Sequence, residues 1–410
     1  MPIHTHQFDN GLVLLAEPMP WLESAAFTLL VPAGCSREPA ELAGLGTLTC
    51  ELAQRGSGSR DSRQFIEELE LLGADFSSSV ANAHASFGGA MPAENLSATL
   101  RIYADLVLKP HLNPAQLPDA RLTCLQEVRA IEDDLAQRVM QTLRKRQYPD
   151  PYGRPSQGTE AGLESITISH LEKFFAETYV PQGAILSVAG KLDWPQIRDE
   201  VGELFGGWRA RPPATLREKP AERGHEHFPH ESSQTHLALA FDSVSYAHPD
   251  YYFARAAVGV LSDGMSSRLF TEVREKRGLC YSVYAFCHSL HDRGSVLCYA
   301  GTTTERAQQT LDVLVAELHR LRDGITEQEL ARLKTKLKSS LILQQESSPS
   351  RSGAMASEWF HLGRVQTLDE LGKIVDDLNV PAINAYLAEH PPRDFTLVSL
   401  GAKPLEWPVQ

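Results

Sequence analysis

Apolar residues recur along the chain with two periods. Short, nearly continuous apolar runs read as strands: LVLLAEP (12–18), AAFTLLVPAG (25–34) and AILSVAG (184–190) early, THLALAFDSV (235–244) and FTLVSLG (395–401) late. Longer stretches carry helical spacing. Ala307, Leu311, Leu314, Leu318 and Leu321 fall on one face, and Gly324 stands where a helix C′ residue belongs. Thr326 followed by Glu327-Gln328-Glu329 is a helix start.

The order of elements repeats. A helical Phe65–Leu72, Gly73 and the strand-like ADFSSSVANAHASFGGAM match a helical Leu269–Lys276, Gly278, LCYSVYAFCHSL and RGSVLCYAGT. A pair of long helical segments follows in each case, at an offset of about 200 residues, far above any solenoid period. The chain therefore reads as an internal duplication. Between the halves, Trp208–His227 is rich in Pro, Arg and Glu, holds Pro212, Pro213 and Pro220, and lacks apolar periodicity. This gives a first domain over 1–207, a linker over 208–227 and a second domain over 228–410. Hairpin-like strand runs with grouped helices predict an α+β fold, each domain a mostly antiparallel sheet packed with helices.

Composition narrows the partners. Lys plus Arg number 39 against 52 Asp plus Glu, a net charge of −13, which argues against a nucleic-acid surface. No apolar run is long enough to span a bilayer, and the opening MPIHTHQFDNG has no signal-peptide pattern. The six cysteines are scattered without C-x-x-C spacing and read as reduced thiols, so a cytoplasmic location is expected.

Familiar catalytic strings are missing. There is no H-E-x-x-H, no G-x-S-x-G and no Walker loop. His225, His227, His230 and His236 cluster, but Pro229 interrupts any helix that would align ligands, so they read as solvated linker histidines. The pairs His4/His6 and His288/His291 lack a third partner and read as surface or turn residues.

The stretch from Cys35 to Ser57 is more telling. Its frame Leu42-Ala43-Gly44-Leu45 and its closing Gly56-Ser57 fit the pattern A-G-x-[AS]-H-F-x-E-H-x-x-F-K-G-T. Glu127 lies 76 residues beyond Glu51 in Leu125-Gln126-Glu127-Val128, which fits the end of a string E-x-x-x-x-x-x-E-[IV] whose upstream Glu is Ala120 here. The run from Ser266 to Val283, SSRLFTEVREKRGLCYSV, carries an Arg and a Tyr seven apart. Together these resemble the pitrilysin-like zinc metallopeptidases, which include insulysin and the mitochondrial processing peptidase, over nearly the whole chain. In that family two His and the distal Glu hold zinc, and the Glu inside the motif is the general base.

Carried onto this chain, the first His is Thr47, the base is Cys50, the second His is Glu51, and only Glu127 survives. Thr47 and Glu51 stand i,i+4 on a helix and share a face, but a hydroxyl and two carboxylates are a poor set for zinc. Cys50 points about a third of a turn away and reads as a small apolar core residue. A rearranged zinc site from Cys50, Glu51 and Glu127, or a Cys50 nucleophile, stands as the alternative chemistry.

The resemblance implies further that the two domains form half of a clamshell, and that Arg274 and Tyr281 supply hydrogen-bond donors to the substrate carbonyl. Their bland readings are a salt bridge on the charged Glu272–Arg277 helix and an aromatic in a half-buried strand. The resemblance also makes Ser77, Ser78 and Ser79 an exposed edge that takes peptide as an added strand, against a polar edge kept for solubility. Two-subunit relatives imply the function: a non-catalytic subunit of a heterodimeric zinc endopeptidase, binding no metal itself. Zinc is then expected in a homologous H-x-x-E-H-bearing partner, with a homodimer when the chain is alone. The competing reading is an inactive pseudo-peptidase that binds peptides or serves assembly.

Overall fold

The computed structural model describes residues 2–211 and 216–408; Pro212 and Pro213 of the expected linker lie outside them. Thirteen strands form among the described residues: β1 (His4–Gln7), β2 (Val13–Pro18), β3 (Ser24–Val31), β4 (Gly56–Ser57), β5 (Arg60–Asp61), β6 (Asp75–Val80), β7 (Ala85–Pro92), β8 (Ile185–Gly190), β9 (His225–Pro229), β10 (Gln234–Ser243), β11 (Cys280–Ser289), β12 (Gly294–Thr303) and β13 (Thr396–Gly401). One sheet runs β1-β2-β8-β3-β7-β6 and the other β11-β12-β10-β13-β9.

The two sheets share one plan. In the first, β2 and β8 are parallel and β8-β3-β7-β6 is antiparallel throughout. In the second, β9 and β13 are parallel and β13-β10-β12-β11 is antiparallel. Apart from β1, an added edge strand antiparallel to β2 in the first sheet, this is a duplication strand for strand, and it is the α+β architecture the pattern predicts. The edge strands β6 and β11 are equivalents.

The strands read as near-continuous apolar runs because both faces of each sheet are covered. On β3, Ala25, Phe27, Leu29 and Val31 point into one helical layer with Leu48, Leu52 and Leu100. The opposite face packs on the helix Ser348–Leu362, where Ile185, Ala189, Met355 and Ala356 meet. That helix approaches closely through small residues: Thr28 Oγ1 lies 3.1 Å from Ser352 Oγ. Arg351, fully buried on it, donates to Glu17 at 2.7 Å. In the second sheet, Leu237, Leu239 and Phe241 face one layer, while Ala238 and Ala240 meet Val139, Met140 and Leu143 of the helix Leu135–Gln147.

Each sheet thus recruits a helix from the opposite half of the sequence. The chain divides into a unit made of the segment ending at Ala130, Asp150–Lys219 and Leu343–Gln366, and a unit made of Ile131–Pro149, Pro220–Ile342 and the segment from Thr367 on. A cut at 207/228 does not separate them, because an amphipathic helix shows that one face is apolar but not which sheet receives it.

The linker is also shorter than its composition suggests. Trp208 is buried in the first core and donates from its indole N–H to Tyr179 O at 2.9 Å. At the other end, His225 and His227 are not linker residues, although His225 is exposed. They lie in β9, where His227 Nδ1 sits 2.9 Å from Ser399 Oγ and His225 stacks near Trp407. A parallel edge strand satisfies its backbone on β13, so its sequence needs little apolar alternation.

Candidate functional site

In the first unit the helix Leu45–Ala53 carries the degenerate motif. Its start is fixed by Glu38, whose buried carboxylate accepts the N–H groups of Gly44 and Gly46, each at 2.8 Å. Gly44 takes φ +103°, a left-handed value that favours glycine. Burial raises the Glu38 carboxyl to about 7, outweighing those N–H bonds and the nearby Arg154.

The polar groups of the motif are committed to the fold. Thr47 Oγ1 donates to Ser156 O at 2.6 Å. Glu51 accepts from Arg55 at 3.0 Å (Nε) and 2.8 Å (Nη2), and Arg55 also reaches Thr123 Oγ1 at 3.1 Å. Cys50 is buried among Leu48, Tyr103 and Tyr179. Burial pushes its thiol up to about 12, against the opposing effects of Ser78 and Tyr179. A thiol held that high is no nucleophile near neutral pH. Glu127, on the helix Leu117–Asp133, is exposed as a residue, but partial shielding of its carboxyl and then the charge of Glu51 raise it above the usual carboxylate range. Cys124, on the same helix, is pushed up to about 12 by burial, with Glu51 and Glu127 adding to it.

This donor set does not fit zinc. The cation beside Glu51 is the Arg55 guanidinium, the Thr47 hydroxyl is spent on a carbonyl, and Cys50 faces the core. Among the described residues, no three His, Cys, Asp or Glu side chains gather as a metal site requires. The rearranged site from Cys50, Glu51 and Glu127 finds no support in this geometry. Sequence reasoning missed Arg55, although Glu51 and Arg55 form a readable i,i+4 pair.

Ser77, Ser78 and Ser79 lie together on β6, exposed, with the far side of the strand unpaired in the sheet. Ser78 Oγ accepts from Gln54 Nε2 at 2.9 Å, and the same amide donates to Cys50 O at 3.0 Å, so the strand is tied to the motif helix.

In the second unit, Arg274 sits on a short π-helical stretch, Phe270–Glu275, and Tyr281 on the edge strand β11. Cys280 pairs with Thr302 and Ser282 with Gly301, so Tyr281 is the extra residue of a β-bulge. The bulge shifts the phase of the strand. Cys280 and Ala285 point into the same core, with Val283 and Cys287 packed against it. That is why Tyr281, Tyr284 and Phe286 do not alternate in sequence. Tyr281 is turned outward and is 84% exposed.

The Arg274 guanidinium stacks 4.7 Å from the Phe270 ring centroid and 5.0 Å from that of Tyr281. On the charged stretch where a salt bridge was the bland reading for Arg274, Glu272 binds Lys276 and Arg277, each at 2.7 Å. Among the described residues no carboxylate pairs with Arg274. A phenol and a guanidinium, side by side with their donors unspent, can stabilise negative charge on an oxygen.

All six cysteines are free thiols, and among the described residues no helix is long and apolar enough to cross a membrane. A family model described as insulinase (peptidase family M16) matches residues 14–160, and one described as the peptidase M16 inactive domain matches 165–337. An uncharacterized zinc protease of Bacillus subtilis, YmxG, is 29% identical over 399 residues, covering 96% of this chain and 97% of its own. The fold is shared with the crystal structure of a peptidase M16 inactive domain from Pseudomonas fluorescens, with a TM-score of 0.89, 24% identity and full coverage of both chains. It is shared equally with a protease from Helicobacter pylori, with a TM-score of 0.89, 21% identity, and coverage of 98% of this chain and 100% of that one. The two models of one family match successive stretches of the chain, the duplicated sheets accord with them, and the chain belongs to the M16 peptidase family.

Proposed function

We propose that this chain is a non-catalytic M16 subunit that works in a heterodimeric zinc endopeptidase. Its homologous partner bears H-x-x-E-H and the zinc. Arg274 and Tyr281 then act in trans: as water adds to the scissile carbonyl, they donate hydrogen bonds to the oxygen as it gains charge. The edge of β6 at Ser77–Ser79 takes an extended peptide as an added strand, by backbone pairing. A cytoplasmic location fits the six free thiols.

The observation that carries this reading is the state of Tyr281 and Arg274. An exposed tyrosine set outward by a bulge, with an arginine on its ring that meets no carboxylate among the described residues, adds little to stability. It is well built for a ligand that comes from outside. The test is reconstitution. The purified chain alone should cleave no peptide and bind no stoichiometric zinc, and mixing it with an H-x-x-E-H-bearing homologue should produce peptidase activity. Peptide binding or self-association by the chain alone, with no activity gained on mixing, would instead favour the pseudo-peptidase reading.

A further inference from the structure

The loop after the helix Tyr251–Ser262 carries chemistry that the role above does not use. It borders a cavity of about 220 Å³ lined by Gly264, Ser266, Ser267, Arg332, Leu333 and Lys336, among others. Pockets for drug-sized ligands run about 300–1,000 Å³, so this one suits a small ion or the end group of a longer molecule.

Ser267 is 5% exposed, and among the described residues its hydroxyl has no hydrogen-bond partner. A buried hydroxyl left unpaired is costly, which points to a group that fills the cavity and accepts its proton. The two acids on the rim are already matched. Asp263 is held by Arg255 at 2.9 Å, and Glu329 by Arg268 at 2.7 and 2.9 Å. Arg332 and Lys336 are not: among the described residues neither meets a carboxylate. They stand i,i+4 on the helix Glu327–Gln344 and so share a face. A β-carbon at position 264, where φ is +104°, would lie 3.7 Å from Lys336 Nζ.

We propose that Ser267, Arg332 and Lys336 form a binding site for an oxyanion. The hydroxyl donates one hydrogen bond and the two cations supply the charge. The site is complete within this chain and does not depend on the partner subunit. Its chemistry is that of a free phosphate or of a carboxylate on a bound peptide.

Isothermal titration of the full chain at fixed ionic strength tests it, with inorganic phosphate in one arm and acetyl-Gly-Glu-Gly-amide in the other. Saturable one-to-one binding of either probe is expected, and the arm that binds identifies the source. Lys336→Gln, at an exposed position that leaves the core intact, should weaken it about tenfold, the worth of one charged hydrogen bond. Ser267→Ala should weaken it several-fold, and Lys338→Gln, whose lysine pairs with Asp376 instead, should leave it unchanged. No saturable binding of either probe, or equal weakening by Lys338→Gln, would overturn the assignment.

Discussion

The edge strands β6 and β11 hold the same place in sheets of the same order, and their surroundings have gone opposite ways. Beside β6, every polar group of the motif helix is spent inward: Thr47 on Ser156, Glu51 on Arg55, Cys50 in the core. On β11, Tyr281 is thrust into solvent and Arg274 lies against it, with no carboxylate paired to it among the described residues. Groups that satisfy one another stabilise a fold; groups that stay unsatisfied at some exposure are free to act on something else. On the function proposed above, the first half serves structure and the second holds its donors for a substrate.

That contrast can be broken most forcefully by rebuilding the first site. Thr47→His, Cys50→Glu and Glu51→His together should take the chain from no bound zinc to one ion per chain by elemental analysis, because Glu127 is still in place. The edge of β6 gives the next largest effect. Neighbouring residues of an antiparallel strand send their N–H groups to opposite sides, so Ser77→Pro and Ser78→Pro should differ. The proline that removes the outward N–H should weaken peptide binding by about tenfold with little change in melting temperature, while the other should destabilise the β6-β7 ladder.

Smaller effects test the inward half. The Glu38 carboxyl titrates near 7 when folded, against 4.5 as its ordinary value, so the folded state holds this proton more tightly. Stability should therefore fall as pH rises from about 4.5 through about 7, and Glu38→Gln should flatten that slope in melting curves. Cys50→Ala should cost about 1 kcal/mol by denaturant titration and leave the activity of a reconstituted complex unchanged. The native Cys50 thiol, held up near 12 by burial, should resist alkylation at pH 7.5.

Much of this was legible in the sequence. Runs such as LVLLAEP and THLALAFDSV announced strands, since a strand buried on both faces has no polar phase to hide it. Thr47, Cys50 and Glu51 stand in the chain where the family motif puts its His and Glu, and the Arg274/Tyr281 spacing is equally visible there. The bulge at Tyr281 was not. An inserted residue shows in sequence only as broken alternation, which irregular loops also produce. The exchange of the helices Leu135–Gln147 and Ser348–Leu362 was hidden because periodicity marks an apolar face without naming what covers it. The orphaned Ser267 hydroxyl depends on which side chains fold around it, and no local pattern encodes that.

The most direct test is the turnover of the reconstituted complex carrying Tyr281→Phe in this chain. Removing the phenolic hydroxyl, while the ring on Arg274 stays, should lower kcat about 10²-fold with little change in KM, the signature of a donor that matters once charge develops. A complex that turns over at the parental rate would show that Tyr281 plays no part in the chemistry.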